Sequence, residues 1–396
     1  MKGPTPRRLR KYVTHCLGLR AYVESPGDGR TQPQIPASAL LWGLLLGQVL
    51  RDYAFQAIEA LVRGAARALG VSRTFGDDAL GYFTERLDPA PTRRALAACV
   101  RRAKRNKAFD DRRFIGLSVD GTTAGRSSAS RCPLCRPWRN PTRQVQGYHH
   151  ALVLISVVGT GLTLPLDLEP YGPRDSEYAA GQRLLRRTVR QVGPRFADYV
   201  VADAGYARAG FLHLAGDLGL RVVVRLKANL PELFAAAQRR FRAQSPTAVF
   251  RQGADQVEVW DADDFDPWGT LRWETVRVLF YRQHKPEGKV VEAYWLTDFP
   301  SRQVSSRTLF RLAKARWEIE NEGFNDAKNR YGLEHIRHHQ ARSLLITWLL
   351  IALALTIERL YRLRYLHRGS HRPRKAAELV RLLWLGLSSP HALDSS

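Results

Sequence analysis

Apolar residues change their spacing along this chain, and each change marks a change of element. Over residues 38–110 they recur three and four apart, as in ALLWGLLLGQVLRDYAFQAIEALV, which predicts a run of helices. Asp77 or Asp78 is the expected cap of a short helix before GYFTERL, and a basic tail, RRAKRNKAF, leads out of the region. From Phe114 the period shortens. FIGLSVD is a short apolar run closing on Asp120, and YHHALVLISVV and GLTLPLDLEPY read as two strands joined by a turn at Gly159-Thr160-Gly161. SEYAAGQRLLRRTVRQV returns to helical spacing. DYVVAD is then a strand ending at Asp203, a helix follows over roughly 208–218, and LRVVVRLK is another strand.

Strand, strand, strand, helix, strand, helix, strand is the order of a ribonuclease-H-like α/β core, here over residues 111–228. Residues 229–300 break the alternation with VEVW, LRWETVRVLFY and VVEAYWLTD, a predicted β-rich insertion. Helical spacing returns near Ser305 and runs through RLAKARWEIENEGFNDAKNRYG to Gly332, so 301–340 is expected to complete the core. Residues 1–110 and 341–396 are flanking helical regions, the latter with a basic tail, RLYRLRYLHRGSHRPRK. The longest nearly apolar run, Leu344 to Ile357, has 14 residues where a membrane-spanning helix needs roughly 20, so it is expected to be a buried core helix and no membrane partner is expected.

Lys plus Arg is 62 and Asp plus Glu is 37, a net charge of +25. Such an excess favours a polyanionic partner, with nucleic acid ahead of a membrane surface. At 44% hydrophobic and 25% charged, the chain has the balance of a folded protein and not of a disordered one. Its amino terminus is basic but lacks the apolar core and cleavage site of a signal peptide, and four Cys in 396 residues make no disulfide framework; a cytoplasmic, nucleoid-associated protein is expected.

Three acids sit where metal chemistry needs them: Asp120 and Asp203 at strand ends, and Glu320 on the helix after the insertion. Carboxylates converging from such places are hard oxygen ligands for Mg²⁺ or Mn²⁺. Two such ions activate a water or a 3′-hydroxyl and stabilise the leaving oxygen in phosphodiester chemistry. The ordinary alternative is that each Asp merely follows an apolar strand into a turn.

The surrounding residues resemble a known group. VVADAGYARAGFLHLAGDLGLRVVVRLK is similar to the second-aspartate motif of bacterial insertion-sequence DDE transposases of the insertion-sequence-4-like group, RWEIENEGFNDAKNRYGLEH is similar to its third motif, and VDGTT to its first. The resemblance spans about residues 38–360. It implies a ribonuclease-H-like catalytic core with Asp120, Asp203 and Glu320 as the metal-binding catalytic set, and Arg316 and Lys328 as phosphate-positioning residues. It also implies double-stranded DNA, as transposon ends and target, for a partner, and a homodimer on that DNA. Two positions depart from the group's pattern: Ala313 stands three residues before Arg316 where Tyr is usual, and Ala327 stands seven after Glu320 where Lys is usual, Lys328 falling one later. Glu320 is preferred over Glu318 and Glu322 because it lies four residues after Arg316, on the same helix face. An exposed ion pair is the plain reading of that spacing, but the neighbouring Trp317, Ile319 and Phe324 argue for a packed helix.

Cys132-Pro-Leu-Cys135 follows the first motif, with His149 and His150 on the next strand, a combination able to ligate Zn²⁺; free thiols in a loop beside a buried histidine are the alternative. His335, His338 and His339 read as solvated and near phosphate. Arg7, Arg8, Arg10, Lys11, Arg101, Arg102, Lys104 and Arg105 flank the first helical region and are expected either to contact phosphates or simply to keep the surface soluble. Trp295 is expected either to stack on a flipped base or, more simply, to fill the inserted sheet's core. The expected function is a transposase that binds transposon ends, cleaves DNA strands and transfers them; the alternatives are a catalytically silent repressor and a structure-specific nuclease on the same fold.

Overall fold

Helices α1 (Pro6–Lys11), α2 (Arg20–Glu24), α3 (Ala37–Leu50), α4 (Phe55–Leu69), α5 (Asp77–Arg86) and α6 (Pro89–Arg105) precede the first strand in the computed structural model, which describes residues 4–109, 114–366 and 375–388. Strands β1 (Gly116–Ser127), β2 (Arg136–Arg139), β3 (Val145–Val158) and β4 (Leu164–Pro170) follow. Then come α7 (Glu177–Val192), β5 (Tyr199–Ala202), α8 (Ala209–Asp217), β6 (Arg221–Leu226) and α9 (Pro231–Arg242). Four more strands, β7 (Ala248–Gln252), β8 (Asp255–Phe265), β9 (Val276–His284) and β10 (Val290–Thr297), lead to α10 (Ser306–Lys314), α11 (Arg316–Glu318), α12 (Asn325–Tyr331), α13 (Ala341–Leu366) and α14 (Ala376–Ser388). A π-helical turn, Ile319–Phe324, joins α11 to α12.

The strands form one ten-stranded sheet. Its middle runs β4, β3, β1, β5, β6, with β1, β5 and β6 mutually parallel and β3 antiparallel to both its neighbours. This is the ribonuclease-H-like core that the element order predicts. Strands β10, β9, β8 and β7 then continue the same sheet outward from β6, each antiparallel to the last. The insertion is thus an extension of the core sheet, and it begins with a helix the β-rich reading missed: α9 opens on Pro231 and buries Leu233, Ala237 and Phe241, four apart. Strand β2, a short edge segment of RPWR, also escaped the pattern.

The two faces of the sheet are read off β5, where Val200 and Ala202 join the main core and Tyr199 and Val201 join a second, smaller one closed by Leu309, Phe310 and Leu312 of α10. The main cluster runs from Leu9 to Leu383, so the amino-terminal helices and the sheet share one apolar interior. Through it passes α13, against α3, α5, α6 and β4. It is longer than the apolar run suggested, and by length and composition alone it is able to cross a membrane; 94% of its most apolar window is buried inside the protein, as a core helix requires. Neither Asp77 nor Asp78 caps α5. The cap residue is Gly76, and the carboxylate of Glu59 on α4 accepts the Asp77 N–H at 2.8 Å. Residues 367–374 of the basic tail lie outside the described residues.

Asp167 of β4 ties two helices to the sheet. Fully buried, it accepts Arg93 Nε of α6 at 3.0 Å and Arg187 Nε of α7 at 2.7 Å. Removing one member of a buried charged set leaves the others uncompensated. Asp167→Ala is expected to cost about 3 kcal/mol of unfolding free energy, measured by urea denaturation; a cost below about 1 kcal/mol would assign the tie to Glu169, which the same two arginines also reach.

Candidate active site

Strands β1 and β5 pair in parallel from Gly116 with Tyr199 to Val119 with Ala202, so the next residue on each, Asp120 and Asp203, emerges at one rim of the sheet. Asp120 does not end its strand as the sequence suggested. β1 continues to Ser127 against β3 alone, with an irregularity between Thr123 and Arg126 where Gly125 has φ +84°. Asp203 does end β5; its side chain accepts the Ala204 N–H at 2.7 Å and starts a 3₁₀ turn.

The helix supplies the third acid. Arg316 Nη1 lies 3.1 Å from Asp120 Oδ2 and Nη2 lies 2.8 Å from Glu320 Oε1, so one guanidinium bridges a strand carboxylate and a helix carboxylate. With its side chain only 10% exposed, Arg316 is not half of a surface ion pair. Its neighbours select among the three glutamates. Glu318 turns to the β3–β4 connection, accepting Gly159 N at 2.9 Å and Thr163 Oγ1 at 3.3 Å, and Glu322 is exposed.

Electrostatics separate the two strand acids. Burial pushes the Asp120 carboxyl up to about 7; Arg316 opposes this, while the charges of Glu320 and Glu177 reinforce it. Burial also raises Asp203, but the Ala204 N–H, Lys227 and Arg316 outweigh it and leave that carboxyl below the ordinary range. Lys227 Nζ stands 3.5 Å from Asp203 Oδ1.

Three residues of this rim escaped the sequence reading. Glu177, the first residue of α7, looked like an ordinary first-turn acid behind its Ser176 cap. A Cβ on Gly121 would lie 2.3 Å from its carboxyl carbon, so the glycine of VDG is what admits Glu177 beside Asp120. Burial and the charge of Asp203 hold the Glu177 carboxyl above its usual range. Lys227 and Arg225 follow from topology: the third parallel strand, β6, ends beside Asp203, with Val224 in register with Ala202. The Arg225 guanidinium is stacked over Trp295 at 5.6 Å and Trp317 at 6.0 Å, and burial pulls its pKa down. Counting the acids at parallel strand ends, without asking what else ends there, hid both cations.

Four carboxylates on one rim, one holding its proton towards neutrality chiefly because it is buried, are a donor set suited to a hard divalent cation. Among the described residues, their oxygens do not all lie within 4.8 Å of one another, and Arg316 stands between Asp120 and Glu320.

The remaining candidates divide. Lys328 pairs with Glu334 at 3.1 Å on the α12 side of the π-turn. Trp295 is fully buried in the second core, edge-on to Trp317 at 5.8 Å, so it fills the sheet's interior and is closed to a base. Among the flanking cations, Arg10 is hydrogen-bonded to the Gly70 carbonyl, Arg101 to that of Gln191 at 3.2 Å, and Lys104 to those of Arg195 and Phe196, all ties within the fold. Cys132, Cys135 and His150 come together, but His149, one residue along β3, faces away beside Arg136 and Arg126. The later histidines stay at or near the surface: His335 is exposed and tilted against Tyr53 at 5.6 Å, His338 binds Glu85 at 2.6 Å, and His339 lies 5.9 Å from His150.

The family of the transposase DDE domain matches residues 112–357. A solved structure similar to this chain is a piggyBac transposase in a synaptic complex with hairpin DNA, determined by cryo-EM. It is 14% identical over 98% of this chain and 79% of that one, with a TM-score of 0.46. No curated protein matches in sequence. With the acids of β1, β5 and the broken helix gathered at one rim, and more than half of its length matched, the chain belongs to the transposase DDE domain family.

Proposed function

We propose that the chain is a transposase of the insertion-sequence-4-like group, acting in the cytoplasm on nucleoid DNA, which binds transposon ends, cleaves a strand there and joins the freed end to target DNA. The observation that carries this reading is the single guanidinium of Arg316, shared by Asp120 and Glu320 beside Asp203. In it, Asp120, Asp203 and Glu320 would hold Mg²⁺ or Mn²⁺, which when bound supplies an activated oxygen nucleophile and stabilises the leaving oxygen. Arg316, a planar bidentate donor, holds its two carboxylates in place and is the group nearest to them able to grip a scissile phosphate. Lys227 balances Asp203, and Lys328 is assigned to a phosphate further along the strand.

Beyond Asp120, the extension of β1, the first half of β3 and β2 make a ribbon that projects past the acids, with Trp138 exposed and Arg126 5.9 Å from its ring. A basic, aromatic-bearing ribbon beside the rim suits a duplex lying across it, and the +25 charge suits a phosphate-dominated interface. Each chain carries one rim and an element has two ends, so a homodimer is the smallest assembly that engages both.

Duplexes carrying any inverted repeats that bracket the coding sequence test the reading. Asp120→Asn, Asp203→Asn and Glu320→Gln are each expected to abolish Mg²⁺-dependent strand cleavage while end binding, followed by fluorescence anisotropy, stays within about threefold. Glu318→Gln is expected to keep cleaving, and loss of cleavage only in that variant would move the third acid to Glu318. Cleavage without joining by the unaltered protein would make it a nuclease.

Arg316→Lys is expected to retain the fold, judged by circular dichroism, yet to cleave at least about tenfold more slowly, because a point charge does not span two carboxylates. Wild-type rates in that variant would reduce Arg316 to a structural tie.

The pH dependence of stability follows from Asp120. The folded metal-free chain holds this proton up to about 7, whereas the unfolded carboxyl titrates near 3.8, so the folded state binds more protons in between and stability falls as pH rises across that window. Asn carries no such penalty. Asp120→Asn is therefore expected to raise the melting temperature at about pH 8 and leave it nearly unchanged at about pH 4; equal shifts at both would refute the charge argument.

A further inference from the structure

The loop between β1 and β2 folds Cys132 and Cys135 towards each other, with the Cys135 N–H donating to the Cys132 carbonyl at 3.1 Å. Their sulfurs are 3.6 Å apart, beyond a disulfide bond, and both are free. His150 points its Nε2 at the pair, 3.2 Å from Cys132 Sγ and 3.5 Å from Cys135 Sγ. A tetrahedral zinc with ordinary bond lengths separates two sulfurs by about 3.8 Å and a sulfur from a nitrogen by about 3.6 Å. The three edges present match that triangle to within a few tenths of an ångström.

Backbone amides already face the sulfurs. The Arg131 N–H donates to Cys135 Sγ at 3.4 Å, and the Leu134 and Cys135 amides favour the Cys132 thiolate, although burial still lifts that thiol to about 11 without a cation. A thiol pair faced by backbone donors and pressed on a histidine nitrogen has the donor chemistry that a soft divalent cation takes. His150 is kept neutral by burial and by His339 and His149 nearby, its pKa drawn down to about 4, so its ring nitrogen is free to ligate.

Cys132, Cys135 and His150 bring their ligand atoms within 4.8 Å of one another; His339 stands outside that group and would have to move in to supply the fourth corner. His339 sits in the segment between α12 and α13, its ring 5.9 Å from that of His150, and its Nδ1 is buried with no hydrogen-bond partner among the described residues. The same segment packs on β1, where a Cβ on Gly125 would meet Ile336 at 2.4 Å.

We propose that Cys132, Cys135, His150 and His339 bind one structural zinc ion. The site is closed, with four protein ligands and no place for a reacting water, and it fastens three pieces of chain: the loop after β1, strand β3, and the segment that follows the helix carrying Arg316 and Glu320. It holds the carboxyl-terminal end of that helix against the strand that carries Asp120. The proposal is independent of the transposase reading, because it concerns metal content and stability and not DNA chemistry.

The full-length chain, purified from zinc-supplemented cells and desalted, is expected to carry one zinc per chain by plasma mass spectrometry. Reconstitution with Co²⁺ is expected to give the intense visible bands of a tetrahedral thiolate site. Cys132→Ser and His150→Ala are expected to lose the metal, His339→Ala to bind zinc at least about tenfold more weakly in competition with a chromophoric chelator, and His149→Ala to retain it. Because replacing a buried ligand risks unfolding, the unaltered protein gives a second readout: stripping zinc lowers its melting temperature, and adding zinc restores it. Absence of zinc from the wild type, iron or copper in its place, a Cys132–Cys135 disulfide, or a melting temperature indifferent to chelation would overturn the site. Unchanged affinity in His339→Ala, or loss of zinc in His149→Ala, would overturn the ligand set.

Discussion

Like charges crowded at a half-buried rim repel, and this fold places Asp120, Asp203, Glu177 and Glu320 around one edge of its sheet. Arg316 makes that arrangement tolerable: its fork reaches Asp120 with one nitrogen and Glu320 with the other. The guanidinium is held in turn by packing, being nearly buried, 5.1 Å from the Trp317 ring. Trp317 packs on Trp295 of β10, so the last inserted strand buttresses the residue that organises the rim. The guanidinium also leaves the rim adjustable. In the proposed reading, a cation held by the carboxylates would take over part of its task and free donors for a phosphate.

A π-turn sets the heading of the chain that follows Glu320. In a regular helix, seven residues fall within about 20° of two full turns, and eight overshoot by about 80°. Lys328 is eight residues after Glu320, and the π-turn Ile319–Phe324, which contains Glu320, takes up about one residue more than an α-turn. The wide turn absorbs the extra residue, and Lys328 beyond it reaches Glu334 at 3.1 Å. The turn rests on β3, with Gly323 close enough that a Cβ would lie 3.4 Å from Leu154. A bulkier residue there would lift the turn off the strand.

What was legible in the sequence follows from which signals are local. Strand order, the placing of Asp120 on β1 and Asp203 at the end of β5, and the turn at Gly159-Thr160-Gly161 rested on periodicity within one element and carry over to the structure; Glu320, picked by its spacing from Arg316, lies against that guanidinium. Contacts between distant segments were not legible. Glu177 lies more than fifty residues from Asp120 and announces itself only through Gly121; His339 lies nearly two hundred from His150 and stood in a histidine run that looked solvated. Basic residues misled in the other direction. Arg10, Arg101 and Lys104 carry the same formal charge as a phosphate-binding residue but are committed to carbonyl oxygens inside the fold, and composition does not distinguish the two uses.

The insertion's continuity with the core sheet has a consequence for the chemistry. An appended domain hinged on a loop would leave α10 and the Arg316 helix anchored at one end only. Here β10 pairs along β6 from Thr297 with Val223 to Tyr294 with Leu226, so the chain enters α10 from a strand locked beside the one that ends just before Lys227. Leu309, Phe310 and Leu312 of α10 then pack on Val201 and Val223, residues of the same two strands that deliver Asp203 and Lys227. The third acid is thereby positioned by the strands that carry the second. A change in the insertion that shifts β10 along β6 would displace Arg316 and Glu320 relative to Asp203 without touching any of them.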